Sequence, residues 1–178
     1  MSTKNIAFKI VNILFWGILI CYLLFMAQLL FWRTSGLMPR RLNIVPFRSI
    51  MEGINVFDGI RYRLIDMQVW GNVAIFIPAG IYLMVFHEIQ PVKNTIIHIV
   101  LISFCVEIIQ YVFNIGGADI DDIILNCLGG LIGIGLYLLL KRIFKTRDKT
   151  KTAITIMSAL LGIPVVIIVA ITFVTNYF

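Results

Sequence analysis

Glu107, Gln110 and Asn114 follow one another at spacings of three and four residues, within and just beyond an apolar run from Thr95 to Phe113. A helix there puts all three on one stripe. Glu107 stands six residues before Phe113, about 9 Å of helix rise from the end of the run. A carboxylate at that depth in lipid costs about 2.5–3.5 kcal/mol by insertion scales, so it must face the inside of a bundle and be paired. A general acid/base, a proton site and a cation ligand all need such a group. An interhelical clamp to Arg48 or Asn126 needs it equally.

The run Asp119-Ile-Asp-Asp122 follows Gly116-Gly117-Ala118. Asp119 suits a helix N-cap, Asp122 three residues on resembles the acid of a capping box, and all three charges favour a helix N-terminus. Asp122, Asn126, Gly129 and Gly133 then share one face, and a Gly-x-x-x-Gly stripe permits close helix approach. That face points inward. Arg48, after Val-Pro-Phe, is the natural opposite charge for Glu107 or the aspartates, or a bidentate ligand for a phosphate; snorkelling to lipid headgroups accounts for it equally. Arg61 and Arg63 read as headgroup contacts, Trp70 as an interface residue and His87 as a membrane-edge residue. His98, nine residues before Glu107, lies on the opposite side of the helix and forms no relay with it. Ser49 has no evident histidine base. Neither a phosphate-binding Gly-rich loop ending in Lys-Ser, nor His-Glu-x-x-His, nor Gly-x-Ser-x-Gly occurs. Cys21, Cys105 and Cys127 sit in apolar runs and read as small buried hydrophobes, not as a disulfide or metal set.

The elements that position these groups follow from composition. The chain has 178 residues, 60% of them hydrophobic and 13% charged, against about 45–50% and about 25% in soluble chains. Such a chain cannot clothe a water-exposed globule, and lipid must cover the surplus. The expectation is an all-α, polytopic membrane helix bundle, a single membrane domain over residues 1–178. Five spans emerge: about Ile10–Phe31, Val69–Phe86 with Pro78 as a kink point, Thr95–Phe113, Ile120–Leu140, and a C-terminal helix over 153–175. The N-terminal stretch, with Lys4 and Lys9 before it, exceeds a signal-peptide core and reads as a retained helix. Residues 33–67 carry Arg33, Arg40, Arg41, Arg48, Arg61 and Arg63 among apolar residues. They form an amphipathic interfacial or re-entrant segment.

Loop 141–151 carries six basic residues and loop 114–122 none, so the former is cytoplasmic, with the N-terminus inside and the C-terminus outside. Loops 33–67 and 114–122 then share the outer side. Asn72, Glu107, Gln110, Asp119, Asp121, Asp122 and Asn126 gather towards that face, whereas no solvated basic surface suits nucleic acid.

Four blocks now stand out: Asn43-Ile-Val-Pro-Phe-Arg48; Gly71-Asn72 with Phe76-Ile-Pro-Ala-Gly80; Glu107-Ile-Ile-Gln110; and Asp119-Ile-Asp-Asp-Ile-Ile-Leu-Asn126 followed by Gly129 and Gly133. In this order, over about residues 40–137, the chain resembles the VanZ-like family of bacterial membrane proteins. It departs at Gly117, where many relatives carry arginine or a bulkier residue, and at Cys127, where they carry threonine.

The resemblance implies a multi-pass protein of the Gram-positive cell membrane, whose family namesake is associated with resistance to teicoplanin, a lipid-bearing glycopeptide. The candidate ligand set is Asn43, Arg48, Asn72, Glu107, Gln110, Asp119, Asp122 and Asn126. Three functions fit it. The first is a binding module for an amphipathic or lipid-linked wall-related molecule or lipoglycopeptide, in resistance or envelope homeostasis. The second is an enzyme on a lipid-linked (pyro)phosphate, with Glu107 as acid/base and Asp119, Asp121 and Asp122 holding Mg²⁺. The third is a small proton-coupled transporter. The missing nucleophile and metal motifs, and the missing repeat, favour the first, which needs membrane lipids as partners and no cofactor.

Overall fold

A computed structural model describes residues 3–31, 42–54, 56–57, 62–63, 67–87 and 91–177, without the side chains of residues 3–5, 7, 53–68 and 165–178. Arg33, Arg40, Arg41 and Arg61 lie outside the described residues, and Arg63 is described by its backbone alone. The elements are α1 (Thr3–Phe31), β1 (Leu42–Asn43), α2 (Arg48–Ile54), β2 (Val56–Phe57), β3 (Tyr62–Arg63), α3 (Met67–Phe86), α4 (Pro91–Val112), β4 (Ala118–Asp119), α5 (Ile120–Phe144) and α6 (Arg147–Tyr177). Helix dominates, as the composition requires. The apolar runs outline only parts of the helices; α1, α5 and α6 continue past those limits into polar sequence.

Among the described residues, four helices are long and apolar enough to cross a membrane: Phe8–Phe31, Val69–Phe86, Pro91–Val112 and Ile120–Phe144. The expected fifth span, 153–175, falls within α6, and its side chains beyond Pro164 lie outside the described residues. Helix α3 runs unbroken through Pro78. The sequence left two short pairings unseen: β1 runs parallel to β4, with Leu42 opposite Ala118 and Asn43 opposite Asp119, and β2 pairs antiparallel with β3.

Two compact units are present, one of Met1–Met26 with Leu140–Phe178 and one of Ala27–Leu139. In the first, Lys151 Nζ donates to Asn12 Oδ1 at 2.8 Å and lies 4.4 Å from the centre of the Phe15 ring. The apolar stem of that lysine can thus stay packed while its charge is satisfied. Phe15, Thr150, Ile154 and Thr155 are buried around it.

The second unit is held by small residues. A Cβ added at Gly129 would meet the Val73 carbonyl, one at Gly133 the Ile77 carbonyl, and one at Gly80 the Gly130 carbonyl. Backbone therefore lies directly on backbone between α3 and α5, while Ile99 of α4 fills the space over Gly130. Phe76, Met84, Leu125 and Ile134 complete this core. Where α3 meets α4, His87 Nδ1 lies 3.0 Å from Thr95 Oγ1, and its ring centre lies 4.7 Å from that of His98. Burial first, and then the charge of His98, holds His87 below its ordinary pKa.

Candidate functional site

Asp121 is fully buried. Its Oδ1 accepts the Phe47 N–H at 2.5 Å, and its Oδ2 accepts the N–H groups of Ser49 at 2.7 Å and Ile50 at 3.2 Å. Ser49 and Ile50 are the second and third residues of α2, whose free amide donors an N-cap side chain would ordinarily take. The residue at the cap position is Phe47, in a left-handed conformation (φ 66°), and it has no acceptor to offer. A carboxylate more than seventy residues away in sequence caps the helix instead.

Asp119 completes the attachment. Its Oδ1 accepts from Asn43 Nδ2 at 2.9 Å and from the Asp121 N–H at 2.9 Å. The Ser49 hydroxyl donates to its Oδ2 at 2.5 Å and accepts from Asn43 Nδ2 at 3.0 Å. The bond to the Asp121 N–H is the N-cap of α5 that the sequence led one to expect. The second half of the capping box is different. The Asp119 N–H, which Asp122 would have taken, donates to Glu107 Oε2 at 2.8 Å. Glu107 is buried on α4, so the intramembrane carboxylate satisfies the start of the next helix.

Further from the loop, Asn72 Nδ2 donates to Asp122 Oδ1 at 2.6 Å, joining α3 to α5. Gln110 Nε2 donates at 2.8 Å to the carbonyl of Leu30, in the last described turn of α1. Asn126 is buried; its Nδ2 donates to Ser103 Oγ at 2.9 Å, and its Oδ1 has no partner among the described residues. Asn126, Gly129 and Gly133 face inward together, as their spacing required. Asn114 does not belong to the Glu107–Gln110 stripe. It follows the end of α4 at φ 56°, with its N–H directed to the Tyr111 carbonyl and that of Ile115 to the Gln110 carbonyl. Asparagine tolerates that left-handed capping position better than most residues.

Arg48 does not reach Glu107 or the aspartates. Its Nε lies 3.1 Å from Glu52 Oε1, one turn along α2, with the two side chains 63% and 68% exposed. Exposed pairs of this kind contribute about 0–1 kcal/mol, so Arg48→Ala should leave the thermal unfolding of the purified protein almost unchanged. Any functional loss in that variant then reports a contact with a ligand.

Around this frame the loop shows an apolar outer surface. Leu42, Ile44, Val45, Phe47 and Met51 are all exposed, and Pro46 lies among them. The pairing of β1 with β4 fixes this knuckle beside the first residue of the span Ile120–Phe144. Sequence reasoning took the polar residues as the surface that meets a ligand. The structure brings Asn43, Glu107, Asp119 and Asp121 together as struts and turns the apolar residues outward. Ser49 was missed as a member of the network, and Asp121 entered as a charge at the start of its own helix and a metal candidate, not as the cap of another helix. Among the described residues no group of three or more His, Cys, Asp or Glu side chains is arranged to hold a metal ion. Both oxygens of Asp119 and of Asp121 already face protein donors.

The chain matches the family model described as VanZ/LLP1 over residues 10–141. It is 40% identical over 99 residues to Protein VanZ of Enterococcus faecium, an alignment covering 55% of this chain and 53% of that protein. The chain thus spans about half the length of the curated relative it matches. No solved structure matches it.

Proposed function

We propose, from the premise that this chain belongs to the VanZ/LLP1 family, that it is a membrane-embedded binding module acting at the outer leaflet. Its ligand is an amphipathic or lipid-linked wall-related molecule, and its role lies in resistance to teicoplanin-type glycopeptides or in envelope homeostasis. The observation that carries this reading is the exposed knuckle of Leu42, Ile44, Val45, Phe47 and Met51, mounted on the buried carboxylate of Asp121 beside the start of the span Ile120–Phe144. An acyl chain laid along those side chains gains about 0.8 kcal/mol for each methylene withdrawn from water. A loop already fixed by hydrogen bonds does not have to be ordered when the ligand arrives. Arg48, exposed at the rim and held by a weak pair, can turn to an anionic group of the same ligand.

The enzyme alternative, on a lipid-linked (pyro)phosphate, would draw on Glu107 as acid/base and on Asp119, Asp121 and Asp122 to hold Mg²⁺. Glu107 Oε2 accepts the Asp119 N–H, and both oxygens of Asp119 and of Asp121 face protein donors, so struts explain the same contacts without chemistry. The test is expression in a susceptible Gram-positive host with teicoplanin and vancomycin susceptibility measured side by side. Protection against teicoplanin with little change for vancomycin, which carries no acyl chain, is the expected result. Equal protection against both, or none against either, would refute the reading.

A further inference from the structure

The unit of Met1–Met26 with Leu140–Phe178 carries a feature that the knuckle does not use. Helix α5 ends at Phe144, Lys145 takes a left-handed conformation (φ 62°), and α6 starts at Arg147. Beside this corner is a cleft of about 540 Å³, within the range of about 300–1,000 Å³ found for small-molecule sites. Its lining joins apolar Phe144, Ala153, Ile156 and Met157 to polar Asp148, Lys149 and Thr152. Lys149, Thr152 and Ile156 share one face of α6 by their spacing of three and four, with Met157 next to Ile156. Along that face the chemistry changes from cationic to apolar within about 12 Å of helix rise.

The charge of the stretch that joins α5 to α6 is one-sided. Lys141, Arg142, Lys145, Arg147 and Lys149 are exposed in residues 141–151, against Asp148 as the one acid of that stretch. A rule of membrane topology accounts for basic residues after a span, but it does not call for an apolar cleft beside them. An exposed basic stretch next to a largely apolar cleft, at the end of the span Ile120–Phe144, has the polarity of a lipid with its phosphate at the membrane surface and its chain directed inward. We propose that this cleft is a binding site for an anionic phospholipid of the surrounding bilayer, with Lys145 and Lys149 at the phosphate and one acyl chain along Phe144, Ile156 and Met157.

The site is tested by native mass spectrometry of the detergent-purified full chain, titrated with phosphatidylglycerol or phosphatidylcholine of identical acyl chains. Phosphatidylglycerol should be retained at lower concentration. The double variant Lys145→Ala/Lys149→Ala should weaken its retention about 25-fold, at about fivefold for each basic group near the headgroup. Ile156→Trp, at a half-exposed position, fills the cleft and leaves every charge in place; it too should lose the lipid while its melting temperature stays unchanged. Equal retention of the two lipids by the wild type would overturn the proposal. So would undiminished phosphatidylglycerol binding by Ile156→Trp, since that outcome leaves only diffuse attraction to a basic surface. Displacement of the lipid by an equal concentration of inorganic phosphate would also refute it.

Discussion

Asp121→Asn should detach the knuckle and destabilise the protein by about 3 kcal/mol, the range for hydrogen bonds to a charged group. The carboxylate is buried and takes three backbone N–H groups through both of its oxygens. An amide of the same size offers one carbonyl oxygen and turns an NH₂ group towards the remaining donors. At least one of the Phe47, Ser49 and Ile50 amides is then left facing another donor. Phe47 is held left-handed by these contacts, a conformation that costs a bulky residue energy and persists only where the surroundings fix it. The variant should therefore show a lowered melting temperature in detergent together with new protease cleavage between residues 42 and 54. Unchanged melting and unchanged cleavage would mean that Asp121 does not pin the loop.

The second large effect belongs to the α3–α5 contact. Gly129→Ala and Gly133→Ala should each destabilise the fold by about 3 kcal/mol, at the upper end of the usual cost of overpacking. The added methyl meets a backbone carbonyl, of Val73 in one case and Ile77 in the other, and backbone cannot rotate aside as a side chain can. Gly135 in the same helix is the control. It has nothing within 4 Å of an added Cβ, so Gly135→Ala should be neutral or stabilise the helix by up to about 1 kcal/mol. The three melting temperatures, measured in one detergent, separate close packing from helix propensity. Equal shifts at all three positions would contradict the packing.

The inward face of α5 was legible because helical period is a property of sequence: Asn126, Gly129 and Gly133 recur at intervals that one face must share, and all three are buried. The burial of Glu107 was legible for a different reason, since lipid leaves an ionisable group nowhere else to go. What Glu107 and Asp121 hold was not legible. Their partners are backbone N–H groups, which every residue except proline carries, so no residue type marks them in the sequence. The same limit explains the capping box. The pattern Asp119-x-x-Asp122 suits a local pair, yet Glu107 reaches the Asp119 N–H and Asp122 is joined to Asn72. Of the readings open for Arg48, pairing with the buried acids is the one the structure removes: a solvent-exposed partner one turn away on its own helix needs no desolvation. The parallel contact of β1 with β4 covers two residues on each side, too few for any alternation of polarity to appear.

These contacts divide the labour: Asp121 and Asp119 hold the loop, and the apolar side chains it leaves exposed are, in the proposed function, the surface offered to the ligand. The most direct test is the double variant Ile44→Ser/Phe47→Ser, compared with the wild type for teicoplanin susceptibility at matched membrane abundance and matched melting temperature. Both side chains are exposed, so the fold should survive. The account predicts that protection against teicoplanin is lost in the double variant. Full protection by a variant with a polar knuckle would contradict it.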